Sequence, residues 1–135
     1  MTRVLILAGG TGGHVFPALT VARLLAAQHV HLSWLGTRRG LEARVVPAAK
    51  LPIEMEWVTV RGLRRRGLLG WLLAPITVSL AMFQTWRVLR RQKPDVVLAF
   101  GGFVAGPGGL VARLTRTPLV VHEQNAIPGL TNRLL

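Results

Sequence analysis

Cysteine is missing from this 135-residue sequence, and acid is scarce: 5 Asp or Glu stand against 17 Lys or Arg, a formal net charge of +12. Without cysteine there is no disulfide framework and no thiolate metal site, which excludes a small secreted domain held by staples. No His/Asp/Glu spacing fits a metal site either. Charged residues of both signs make up 16% of the chain and aromatics 6%. A nucleic-acid-binding arm would need interleaved cations and stacking rings, so this composition argues against a nucleic-acid partner. The first apolar run, Val4–Ala8, ends at Gly9-Gly10. It is too short for the core of an export signal and reads as a first strand of a protein that starts in the cytoplasm. Ser/Gly/Pro linkers, repeats and low-complexity stretches are lacking as well.

What the chain does have is apolar mass, 50% of its residues, enough for one well-packed domain. Short apolar runs at Val4–Ala8, His31–Leu35, Met55–Val60, Val96–Phe100 and Leu119–His122 each end at a Gly, Pro or polar break. Between them lie helical segments at Pro17–Gln28, Leu41–Ala49, within Leu68–Gln92, and at Gly106–Arg116. Strands alternating with helices predict an α/β fold, a Rossmann-like parallel sheet with helices on both faces. The unbroken apolar character of the strands agrees, since such strands are buried on both sides. Pro17 is expected in the first turn of the first helix, where its missing N–H costs nothing. Ala18, Val21, Ala22, Leu24 and Leu25 are expected to form that helix's buried stripe. Lys93-Pro94-Asp95 should stop the long helix.

Gly9-Gly10-Thr11-Gly12-Gly13-His14 joins the first strand to the first helix. Glycine lets backbone N–H groups approach a ligand, and a helix N-terminus adds partial positive charge, so the loop suits a phosphate or diphosphate. A second glycine loop, Gly101-Gly102-Phe103-Val104-Ala105-Gly106-Pro107-Gly108-Gly109, follows the fourth strand. In a parallel sheet both loops lie at carboxyl ends of strands, where open α/β sheets bind ligands. Gly10-x-Gly12 opens the dinucleotide fingerprint, but Val15 sits where its third glycine belongs. Gly36-Thr37-Arg38-Arg39 follows the second strand in place of a ribose-binding acid. An NADP-binding oxidoreductase using Arg38 or Arg39 is therefore the alternative reading. A P-loop nucleotidase is excluded for want of its Gly-Lys-Ser/Thr end.

His122-Glu123-Gln124-Asn125 closes the fifth strand and projects toward the same end of the sheet. Glu123 qualifies as a general base, a ligand for a sugar hydroxyl, or a helix cap. Asn125 offers a donor and an acceptor, which suits a hydroxyl pair. His14, directly behind the first glycine loop, qualifies as a neutral imidazole able to take a proton.

Eight of the 17 cations fall between Arg61 and Lys93, in clusters at Arg61/Arg64/Arg65/Arg66 and Arg87/Arg90/Arg91/Lys93. Positions 67–86 between them carry no charge, long enough for a membrane span by length alone. Gly70 and Pro75 interrupt the stretch, both flanks are basic, and a span would separate the third strand from the fourth. On a helical wheel Leu72, Ile76, Leu80 and Phe83 share one face, with Arg87 a turn further on. Val78, Ala81, Met82 and Leu89 share the other. One face packs on the sheet. The other, with Trp71 and Trp86 beside it and Arg64, Arg65, Arg66 and Arg87 at its ends, reads as an interfacial patch for an anionic membrane surface. Burial on both sides, or cover by another domain, is the competing explanation.

These segments together resemble the MurG family of peripheral membrane glycosyltransferases. The resemblance rests on Gly9–Pro17, Trp34-Leu35-Gly36-Thr37 with Leu41-Glu42, Lys93–Val97, Gly101–Pro107, and His122–Asn125 with Pro128-Gly129-Leu130-Thr131-Asn132. Phe103 and Ala105 stand where the family commonly has Tyr and Ser. The resemblance implies the N-terminal, acceptor- and membrane-binding domain of a two-domain GT-B enzyme, covering residues 1–135, incomplete and without the donor-binding domain. It implies inverting transfer of N-acetylglucosamine from UDP-GlcNAc to the C4 hydroxyl of MurNAc in lipid I, with no cofactor, at the cytoplasmic face of the inner membrane. Thr11, Gly12, Gly13 and Asn125 would touch the UDP-GlcNAc. The glycine loops, with Gly10, Gly101, Gly102 and Gly106, would receive the lipid I diphosphate. His14 and Glu123 both remain candidates for the base. The fragment by itself is expected to be inactive.

Overall fold

The computed structural model describes residues 1–59 and 67–135. Five strands, β1 (Arg3–Ala8), β2 (His31–Gly36), β3 (Ile53–Trp57), β4 (Val96–Gly101) and β5 (Leu119–Val121), pair in parallel in the order β3-β2-β1-β4-β5. Five helices intervene or follow: α1 (Gly12–Ala26), α2 (Glu42–Ala48), α3 (Leu68–Gln92), α4 (Ala105–Leu114) and α5 (Leu130–Leu134). This is the expected doubly wound parallel sheet. Alternate residues of β1 feed two cores. Val4, Ile6 and Ala8 pack with Val15, Ala18, Leu19 and Ala22 of α1 and Val46 of α2. Leu5 and Leu7 pack on the other face with Val88 and Leu89 of α3 and Val111 and Ala112 of α4. The central strand is thus buried on both sides, the physical reason for its unbroken apolar sequence.

The strand order places the topological switch between β1 and β4. From β1 the chain winds outward to β2 and β3, and from β4 it winds the other way to β5. The loops after these two adjacent strands part to opposite sides and leave a crevice at the carboxyl edge. Both glycine segments of the sequence are those loops.

Three local expectations need correction. α1 begins at Gly12, so Pro17 lies inside the helix rather than in its first turn. Glycine's poor helix propensity hid the true start, and the backbone bond forgone is the one Pro17 would have made to the Gly13 carbonyl. Of the expected stripe Leu24 is 63% exposed, while Ala18 and Ala22 are buried with Val15 and Leu19, and Val21 and Leu25 pack partly buried beside them. The third strand lies at Ile53–Trp57, earlier than Met55–Val60, and Val60 is outside the described residues. Its alternation of Ile53, Met55 and Trp57 with two glutamates suits an edge strand covered on one face. Of those acids Glu56 is nonetheless buried, accepting hydrogen bonds from Gln92 Nε2 at 2.6 Å and from Arg91, whose guanidinium its charge holds above the usual arginine range.

α3 follows its expected limits, and Lys93 closes it in the left-handed conformation, φ 45°, directly before Pro94. Ala81, Thr85, Val88 and Leu89 face the domain, while Trp71, Leu72, Ile76, Leu80, Phe83 and Trp86 are exposed. The helix is long and apolar enough to cross a membrane, yet β3 and β4 at its two ends belong to one sheet, which a span would tear apart. Arg64, Arg65 and Arg66 lie outside the described residues.

Leu5 is fully buried in the core beneath α3 and α4. Leu5→Ala is expected to lower unfolding free energy by about 2–5 kcal/mol in chemical denaturation.

Candidate functional site

The crevice is a cleft of about 830 Å³. Gly9, Gly10, Thr11 and His14 form one wall and Gly101, Gly102, Phe103, Gly106 and Pro107 another, with Glu123 and Asn125 at the rim. Thr77, Val78 and Ala81 of α3 and Leu110, Leu130 and Leu134 complete an apolar side that sequence reasoning did not assign. Expected site residues far apart in sequence are therefore brought together. Gly12 and Gly13 are exceptions, for they do not line the cleft, and Gly12 backs onto the Phe16 ring.

The two loops touch backbone to backbone. Gly102 has φ +85°, and a Cβ there would collide with the Gly9 carbonyl oxygen. Only glycine meets both demands. Gly101 is held similarly close to the His14 imidazole. At the start of α1, the N–H groups of Thr11, Gly12 and Gly13 have no acceptor among the described residues, whereas those of His14 and Val15 bond to the Thr11 carbonyl. Free amides at the positive end of a 15-residue helix are an anion-binding element. The Gly10 N–H is not part of it: it turns inward and donates to Glu42 Oε2 at 3.1 Å. Glu42, fully buried, also accepts from the Thr37 N–H at 2.7 Å and hydroxyl at 3.0 Å. An acid at the start of a helix gives no sign in sequence of whether it faces water or the interior, so its place went unread.

His14 Nδ1 lies 3.0 Å from the Phe100 carbonyl oxygen and 2.7 Å from Gln124 Nε2. A carbonyl only accepts, so the Phe100 contact calls for the proton on Nδ1, and with it there the carboxamide is assigned the turned orientation, its oxygen toward the ring. That orientation also partners the Gln124 oxygen, which is otherwise buried without one. Nε2 is left with its lone pair, the form a general base requires.

Glu123 is engaged differently. Oε1 accepts from the Asn125 N–H and side-chain amide, both at 2.9 Å, and Oε2 from the Gly129 N–H at 3.0 Å and Asn132 Nδ2 at 2.9 Å. The Asn125 N–H, then the Gly129 N–H, hold its carboxyl below the usual value of 4.5, with the Asn132 and Asn125 side chains adding to them against slight desolvation. Glu123 thereby folds the segment between β5 and α5. The Asn125 side-chain oxygen has no partner among the described residues, while one of its amide hydrogens is committed to Glu123.

A doubly wound α/β domain with glycine loops at its switch point has the architecture in which open α/β sheets bind ligands. Residues 4–135 match the glycosyltransferase family 28 N-terminal domain, and the chain belongs to that family. It is 62% identical over 132 residues to the UDP-N-acetylglucosamine--N-acetylmuramyl-(pentapeptide) pyrophosphoryl-undecaprenol N-acetylglucosamine transferase of Alkalilimnicola ehrlichii, covering 98% of this chain and 36% of that protein. The protein of the same name from Methylococcus capsulatus is 59% identical over 133 residues, 98% of this chain and 37% of the relative. The crystal structure of Acinetobacter baumannii MurG matches with a TM-score of 0.82 and 41% identity, over 99% of this chain and 38% of that one. The chain thus spans little more than a third of the curated relatives it matches. The oxidoreductase alternative finds no support. Val15, in place of the third glycine, is a fully buried core residue, and Arg38 lies over the Trp57 ring, 5.0 Å from its centroid.

A carboxyl whose folded pKa is depressed contributes stability above its unfolded pKa and loses it as pH falls through the folded value. The Gly129 amide proton is therefore expected to hold a constant chemical shift above about pH 5 and to move progressively in more acid solution. In Glu123→Gln that acid transition should vanish, with the Gly129 shift altered already at neutral pH.

Proposed function

We propose that this chain supplies the acceptor half of an active site that transfers N-acetylglucosamine from UDP-GlcNAc to the C4 hydroxyl of MurNAc in lipid I, giving lipid II in peptidoglycan synthesis. The relatives' names support the substrates. The observation that carries the reading is the meeting of the two glycine loops around a histidine whose Nε2 is free. In this reading the lipid I diphosphate lies against the free Thr11 amide at the start of α1 and the loop at Gly101, Gly102 and Gly106. Thr11 and Asn125 reach the donor sugar nucleotide. His14 Nε2 takes the proton of the C4 hydroxyl as its oxygen attacks C1 of GlcNAc from the face opposite the departing UDP. The C1–O bond to the diphosphate breaks with its electron pair going to UDP, so the anomeric configuration inverts. Of the two base candidates Glu123 is the poorer. Its oxygens are occupied by four donors, and those same bonds weaken its basicity.

The same proposal places the domain on the cytoplasmic face of the inner membrane through α3. Leu72, Ile76, Leu80, Phe83 and Trp86 form an exposed apolar strip. Phe83 stacks on Trp86 at 5.9 Å, and Arg90 lies over the Trp86 ring at 5.5 Å. Aromatic rings with arginine at their edge suit the interface of an anionic bilayer. Thr77, Val78 and Ala81 of the same helix line the cleft, so a helix seated on the bilayer would hold the cleft beside the lipid-borne acceptor.

The transfer reading is tested in a chimera in which this chain replaces the matching segment of the Alkalilimnicola ehrlichii relative. His14→Gln should lower kcat by about 10²–10⁴-fold, the usual worth of a general base, with a much smaller loss in Glu123→Gln. The reverse ranking would overturn the assignment of the base. In vesicle co-sedimentation, Leu80→Glu with Phe83→Glu should abolish binding to phosphatidylglycerol-containing vesicles. Unchanged binding would remove α3 from the membrane contact.

A further inference from the structure

We propose that Glu42 is a positioning residue for the first glycine loop. It acts from beneath the cleft by fixing which backbone amides face a ligand.

Glu42 opens α2 and belongs to neither glycine loop, yet its carboxylate is buried between the loop after β1 and the loop after β2. One oxygen takes the Gly10 N–H. The other takes the Thr37 N–H and hydroxyl. No cation pairs with it among the described residues, so its charge is compensated by these three donors alone. The surroundings are shaped to fit: a Cβ on Gly9 would lie 2.7 Å from Oε1, one on Gly36 2.6 Å from Cγ, and one on Gly40 would collide with the carboxylate outright. Three glycines from two loops are thus packed against one side chain. With the Gly10 amide pinned inward at φ +91°, the following amides of Thr11, Gly12 and Gly13 are left without internal partners at the helix start. Were Gly10 released, the peptide would be free to rotate and the amide array would no longer be preset, so ligand binding would have to order it.

Glutamine cannot replace this group, although it has the same shape. Whichever way its carboxamide is turned, its NH₂ meets an N–H donor, from Gly10 on one side or Thr37 on the other. Aspartate is a methylene too short to reach both loops. The part of the proposal concerning turnover rests on the transfer reaction above; the part concerning the loop does not.

Two measurements test it. In the 135-residue chain, Gly10 should be strongly protected in amide exchange despite lying in a loop at the cleft. Exchange at the rate of an unstructured glycine overturns the proposal, and this readout needs no variant to fold. In the chimera, Glu42→Gln should lower kcat/KM by about tenfold or more, the scale of a lost bond to a charged group, chiefly through a raised KM for lipid I or UDP-GlcNAc. Val46→Ala, on the same helix and buried in the core, destabilises without touching the carboxylate and serves as the comparison. It should lower Tm while leaving KM unchanged. A smaller loss in Glu42→Gln, or an equal rise in KM in Val46→Ala, overturns the assignment. An unmodified chimera without transferase activity would instead defeat the transfer reading, and Gly10 exchange would still decide the role of Glu42.

Discussion

At the carboxyl ends of β1 and β4 two stretches of backbone approach so closely that no side chain fits between Gly9 and Gly102. The rest of the cleft depends on that contact. It is available because β1 and β4 are neighbours in a sheet whose outward winding reverses between them; their pairing keeps one register from Val4–Val96 to Leu7–Ala99 and shifts just before the loops, where Ala8 lies opposite Gly101. With the loops in contact, His14 comes to lie over Gly101 and reaches the Phe100 carbonyl and Gln124, from three segments far apart in the chain. A methyl group at Gly101 or Gly102 would push one wall away from the other and take the proton acceptor with it.

Much of this could be read in advance because the constraints are local. A parallel strand covered on both faces must be apolar throughout, and β1, β2 and β4 announced themselves in that way. A turn that brings backbone to a ligand must avoid Cβ atoms, and both glycine loops showed it. The interior of the site was less legible. The start of α1 was hidden because its first residues, Gly12 and Gly13, are poor helix formers, and propensity gave way to the geometry of the sheet. Glu42 was hidden because burial of an acid is decided by what packs over it, here Gly9, Gly36 and Gly40 from two other segments. The choice between His14 and Glu123 was hidden for the same kind of reason: it turns on which hydrogen bonds each group already makes. Glu123 is held by donors of its own segment, whereas His14 Nε2 has no partner among the described residues.

α3 links two properties that sequence could state only separately. Its inner face contributes Ala81, Thr85, Val88 and Leu89 to the domain, and Thr77, Val78 and Ala81 border the cleft. Its outer face leaves Leu80, Phe83 and Trp86 exposed. A helix has one surface stripe to bury against its own sheet, and an apolar stripe on its far side has to be covered by something outside the domain. Because the same turns of helix serve both faces, whatever covers the outer face also fixes the direction in which the cleft opens.

The scarcity of acid takes on meaning once each acid is placed. All 5 contact other parts of the fold, Glu42 and Glu56 from buried positions and Glu54 and Asp95 from exposed ones. Asp95 accepts from the Arg3 N–H at 2.8 Å and ties the start of β4 to the start of β1. Glu54 lies 3.6 Å from His31 across the β2–β3 pair. Glu56 joins β3 to the end of α3, Glu123 folds the segment after β5, and Glu42 joins the two loops beneath the cleft. The +12 charge is the plain excess of 17 cations over these 5 acids. Of these acids Glu42 lies beneath the cleft and Glu123 at its rim, where the proposed function puts an anion. Each directs its charge into backbone N–H bonds, Glu42 to Gly10 and Thr37 and Glu123 to Asn125 and Gly129. In the proposed function the acids near the cleft act on an anion through geometry, whereas the arginines along α3 act on one through net charge.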